Sequence, residues 1–95
     1  MAEFEPEAEL EYNDSLAWYA KRSSSAARKF EEVVQAAIKK IEAHPEQFPQ
    51  THAECRYCLL LKYPFALIFL QLPGIIKIVA VAHSNRRTDY WHHRI

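Results

Sequence analysis

Glycine is nearly absent from this chain. One Gly and five Pro among 95 residues leave too few turn-formers for a protein built from many short strands. A long apolar run is missing too. Lys62, Pro64, Pro73 and Lys77 interrupt the apolar C-terminal half, so no membrane-crossing segment is expected. Nor is an export leader expected, because Glu3, Glu5, Glu7 and Glu9 stand where its apolar stretch would be. Two Cys without such a leader point to a reducing cytoplasm rather than to a disulfide-stapled fold. Net charge is absent as well, at a formal zero.

What is present is ordinary globular material, 49% hydrophobic and 25% charged. The length predicts one domain over residues 1–95. The zero net charge hides an asymmetry. Residues 1–54 carry 6 Lys/Arg against 11 Asp/Glu, and residues 55–95 carry 6 Lys/Arg against 1 Asp. A basic C-terminal half suits an anionic partner, although acidic helix faces turned to solvent would leave the same imbalance.

The periodicities predict an α+β fold. Ala8, Tyr12, Leu16 and Tyr19 form one helical stripe after Pro6, a residue suited to a first helical position. Ser23, Ser24 and Ser25 break the pattern and can cap a second helix. That helix carries Ala27, Phe30, Val34, Ile38 and Ile41 on one side until Pro45 stops it. A short strand at most precedes the hairpin, over Ala2 to Glu5. Three strands follow it, about Cys55 to Leu61, Phe65 to Leu72 and Ile75 to Ala82. Pro73-Gly74 joins the last two as antiparallel neighbours. The expected architecture is an N-terminal helical hairpin packed on a small antiparallel β-sheet.

Both faces of the central strands are apolar. Phe65, Leu67 and Phe69 alternate with Ala66, Ile68 and Leu70; Ile75, Val79 and Val81 alternate with Ile76, Ile78 and Ala80. A half-buried strand would alternate with polar residues. The hairpin covers one face, so the other needs the C-terminal tail, a second copy or a separate chain.

Two constellations suggest chemistry. His52-x-x-Cys55-x-x-Cys58 has the look of a metal or redox motif. An offset of three puts the two Cys on opposite faces of a strand, and no helix starts there to lower a thiol pKa. Two small buried residues are the expected reading, with no metal and no cofactor. The second is the tail, where His83, Arg86, Arg87 and Arg94 surround Tyr90 and Trp91. Guanidinium groups and flat rings together hold phosphates and bases, or pin a tail by stacking. The pair His92-His93 stands two residues from the end and is expected to be solvated.

The run I-x-A-V-A-H-x-x-R-R-x-x-Y-W-x-x-R, Ile78 to Arg94, closely resembles the C-terminal end of the RelE/ParE family of bacterial type II toxins. Five more motifs follow in family order. They are Phe4-x-Pro6-Glu7-Ala8-x-x-Glu11, Trp18-Tyr19, the helix Phe30 to Ile41, Pro45-x-x-Phe48-Pro49, and Arg56 with Leu61 to Phe65. The resemblance implies an antitoxin partner in a hetero-oligomer, placed here on Phe65, Leu67, Phe69, Ile76 and Ile78. In the ribonuclease branch it implies cleavage of messenger RNA at the ribosome without a metal, with His83, Arg86, Arg87 and Tyr90 as the catalytic candidates. The basic strand positions of that branch fall here on Tyr57, Leu59 and Ala66, and an arginine after His83 is replaced by Ser84. Losing those cations removes most of the charge that would stabilise a phosphorane. The ParE-like branch is the better match. It implies a non-enzymatic toxin that binds a target such as DNA gyrase, here through Arg86, Arg87, Tyr90, Trp91 and Arg94. A degenerate member that only binds its antitoxin is a third reading.

Overall fold

The computed structural model describes residues 1–95. Strand β1 (Ala2–Phe4) leads into helices α1 (Pro6–Ala20) and α2 (Ser24–Ala43), and strands β2 (Arg56–Leu59), β3 (Phe65–Leu72) and β4 (Ile75–His83) follow. The architecture is α+β, with two helices on one face of a four-stranded sheet of order β1-β4-β3-β2. No helix is long and apolar enough to cross a membrane.

Local chemistry explains the elements. Pro6 starts α1, and Glu7 and Glu9 sit in its first turn, where negative charge meets the positive end of the helix dipole. Ser23 caps α2, its Oγ accepting the Ala26 N–H at 2.9 Å. Pro45 follows the end of α2 and opens a single 3-10 turn. Gly74 takes a φ of +74° in the turn between β3 and β4, a conformation that costs a side-chain-bearing residue about 1–2 kcal/mol.

The sheet is mixed rather than purely antiparallel. β1 pairs parallel to β4, Ala2 with Ile76 and Phe4 with Ile78. The helical hairpin between them is the long crossover that a parallel pair requires.

The main core lies between the hairpin and the sheet. Phe30, Val34 and Ile41 of α2 are fully buried against Leu67, Phe69 and Ile78. Phe30 is its hub, with ring centroids 4.9 Å from Tyr19, 5.4 Å from Tyr63 and 5.5 Å from Phe65. This corrects the partner face drawn from sequence. Leu67, Phe69, Ile76 and Ile78 are all buried there, with Phe65 packed at the margin. The helices cover this face because it carries the bulkier rings and branched chains, so Leu67, Phe69, Ile76 and Ile78 offer no surface to a second chain, whereas half-buried Phe65 still borders open clefts.

Candidate functional site

The site begins with an irregularity in β4. Ile68 pairs with Ala80 and Phe69 with Ile78, so Val79 is an extra residue in the ladder. Such a bulge turns two successive residues to one side. Val79 and Ala80 both face away from the helices, and Val81 returns to the helical side. Strict alternation had put Val79 with Val81 and Ala80 with Ile76 and Ile78; the inserted residue reverses the alternation from that point on.

The same segment loses its neighbour. β1 ends at Phe4, and the Glu5 N–H makes the last bond to β4, at the Ile78 carbonyl, 2.9 Å. Side chains take over from there. Glu11 of α1 accepts the Val81 N–H at 3.0 Å, and Arg94 donates to the Val79 carbonyl at 3.0 Å. Arg94 and Glu11 also grip each other through two bonds of 2.9 Å. Both side chains are withdrawn from solvent, Arg94 to 7% exposure and Glu11 to 17%. Burial pushes the Glu11 carboxyl up, but the Arg94 guanidinium and the Val81 N–H outweigh it and hold the group below its ordinary value. The Arg94 guanidinium is in turn stabilised in its charged form by Glu11.

This clamp fixes the tail over the second face. Trp91 is 2% exposed and packs on Cys55, Ile68, Val79 and Ala80. Of the three covers the sequence allowed, the chain's own tail lies there. His92 stacks on His52 at 3.8 Å with an interplanar angle of 9°, and His93 approaches Glu7 at 3.3 Å. Of the pair expected to be solvated, His92 is half-buried in its stack, while His93 keeps 66% exposure. Cys55 belongs to this second cluster and Cys58 to the main core, on opposite faces as the offset of three required. Burial pushes both thiols up, so they are inert packing groups.

Four of the five predicted target-binding residues meet at one place. Arg86, Arg87, Tyr90 and Trp91, together with His83, border a cleft of about 430 Å³ on the uncovered part of the sheet. Arg94 is drawn away into its clamp. Arg87 is the freest, 86% exposed with only Asp89 beside it at 3.4 Å. Arg86 lies over the Tyr90 ring at 4.0 Å, and Arg94 approaches the same ring at 5.1 Å. The Tyr90 hydroxyl is withdrawn from solvent beside the Glu11 carboxylate. Burial first, then its interaction with Glu11 as hydrogen-bond partner and as charge, raises it far above a phenol's ordinary value. His83 packs edge-on against Phe65 at 4.9 Å, and its Nδ1 takes the Asn85 N–H at 3.1 Å.

Tyr57, Leu59, Ala66 and Ser84 line this cleft as well. The positions compared with the ribonuclease branch therefore surround the same space as the tail cations, and none of the four carries a charge. Arg56, the one strand cation nearby, instead ties down a loop, donating to the Phe48 carbonyl at 2.6 Å.

Glu11 is the residue that sequence reading missed. Its signal was faint: Glu7 and Glu11 are four apart on one helical face, with no basic residue at the matching helical positions to pair with them. Their partners are His93 and Arg94, at the other end of the chain. Comparison with known protein families and with curated proteins finds no match for this chain.

Proposed function

We propose that this chain is the toxin of a type II toxin–antitoxin pair with a RelE/ParE-like fold. In this reading it is ParE-like: it acts in the cytoplasm by binding a target, DNA gyrase being the first to test, and a cognate antitoxin neutralises it. The family assignment rests on the six motifs and their order. The choice of binding over cleavage rests on one observation, the composition of the tail cleft. It offers Arg86 and Arg87 as cations, but uncharged residues at the strand positions where a ribonuclease would need them. The Tyr90 ring is half-buried, with the Arg86 guanidinium over it at 4.0 Å, a stacked pair that suits anchoring a bound group.

The test is expression of the chain alone in a bacterial host. Filamentation with a DNA-damage response, and inhibition of purified gyrase supercoiling, are the expected results. Immediate translation arrest, with codon-position cuts that disappear in Tyr90→Phe, would replace this reading by the ribonuclease one.

A further inference from the structure

A second cleft, of about 390 Å³, lies on the helical side of the sheet, between α1 and the end of β4. Its volume is that of an ordinary small-molecule cleft, about 300–1,000 Å³. It meets the tail cleft at His83 and Arg86, which line both, so the two form a bent groove around the end of the sheet. Its walls are pinned together. Glu11 of α1 accepts the Val81 N–H of β4 at 3.0 Å, and the same two elements carry Asp14 and His83 just beyond that bond. The floor is apolar, made of buried Val81 and the rings of Tyr19 and Phe65.

Two opposite charges border this floor, and neither is neutralised within the chain. Asp14 and Arg86 are both exposed, both line the cleft, and neither takes part in an ion pair. The Tyr90 ring holds the Arg86 guanidinium at 4.0 Å, so its fork of N–H donors is left for a carboxylate. His83 adds a second donor. Its Nδ1 accepts the Asn85 N–H at 3.1 Å, which puts the proton of the neutral ring on Nε2. We propose that this cleft binds a small zwitterionic amino acid with an apolar side chain. Its ammonium sits at Asp14, its carboxylate at Arg86 and His83, and its side chain on the apolar floor.

Other small ligands satisfy less of the cleft. A fatty acid leaves Asp14 without a partner, and an alkylamine leaves Arg86 without one. A nucleotide needs an open ring for its base, and the exposed ring at the rim, Trp18, already carries Arg22 at 3.8 Å. Its phosphate would also be repelled by Asp14.

The inference does not rest on the toxin function, and its test needs no cell. Titration calorimetry on the purified protein measures binding, and amide NMR locates the ligand. The probes are L-phenylalanine and L-leucine. Three relatives of the first lack one part each: hydrocinnamate has no ammonium, phenethylamine no carboxylate, and glycine no apolar side chain. N-acetyl-L-phenylalaninamide presents the ring as it stands within a polypeptide. At least one of the two probes should bind saturably, and at least about tenfold more tightly than any of the other four, a margin that one charge-assisted contact supplies. The Val81 and His83 amide signals should shift. Asp14→Asn should cancel the advantage over hydrocinnamate, and Arg86→Gln most of the advantage over phenethylamine. Both positions are exposed and outside every ion pair, so these variants should fold normally. Lys39→Ala on the outer side of α2 should change neither margin. The proposal is overturned if neither amino acid binds saturably in the millimolar range, or if hydrocinnamate, phenethylamine or glycine binds equally well. Equal binding of N-acetyl-L-phenylalaninamide would assign the cleft to a polypeptide segment instead, and indifference to both Asp14→Asn and Arg86→Gln would move the site elsewhere.

Discussion

Arg87 and Arg94 show how two arginines seven positions apart come to opposite uses. Arg87 projects into water with a single weak partner, whereas Arg94 is closed in by Glu11 and a strand carbonyl. Arg87→Ala should therefore leave stability nearly unchanged, within about 0.5 kcal/mol, and, on the toxin function proposed above, abolish target binding and toxicity. A fully toxic Arg87→Ala protein would move the active surface to the helical hairpin. Trp91→Ala removes a buried ring and should cost about 3–5 kcal/mol, losing stability and toxicity together in thermal melts and growth assays. Glu11→Ala removes the closer carboxylate of the clamp and leaves Arg94 only the Val79 carbonyl and Glu7, 3.5 Å away, so it should cost less than a fully unpaired buried charge, roughly 1–3 kcal/mol. Because the Glu11 carboxyl is held below its ordinary 4.5 in the folded state, the clamp's contribution is present above that value. It is lost as pH falls through the lower, folded-state value. Melting temperature followed from pH 6 down should drop more steeply for the native protein than for Glu11→Gln.

At the scale of elements, the bulge in β4 decides which side chains reach the site. Strict alternation would send Val81 and His83 to the open face; the extra Val79 sends them to the helical side, where His83 meets Phe65 and stands at the bend of the groove. It also turns Val79 and Ala80 together under Trp91. Deleting Val79 should reverse the side of every later residue in β4, leaving the tail without its seat. The expected readout is a sharp fall in melting temperature, with loss of the Trp91 environment in near-ultraviolet circular dichroism. A milder test concerns the helix joint. Ser23→Ala removes the cap on α2 and should cost about 1 kcal/mol, with the site untouched.

For the whole molecule, the sheet is buried on both sides by the chain itself, by the hairpin on one face and by the tail on part of the other. Phe69→Asp, a change that would have separated an interface from a core, should therefore unfold the domain, because Phe69 is fully buried beneath the helices. A folded Phe69→Asp protein, judged by circular dichroism and a cooperative melt, would contradict this packing.

Much of this was legible in the chain. The stripe on α2, the serine cap, Pro45, Pro73-Gly74 and the two-faced apolar strands set the helices, the turns and the need for a cover on each side. They do so through local steric and hydrophobic rules that act within a few residues. The clustering of His83, Arg86, Arg87 and Tyr90 was also readable, because they are close in sequence. Three matters were not. One was the parallel pairing of β1, which spans more than seventy residues; the second was the bulge at Val79, which no residue type announces. The last was the union of Glu7 and Glu11 with His93 and Arg94. Each depends on which distant backbone groups are left unpaired once the layers pack, and only the folded chain brings those groups together.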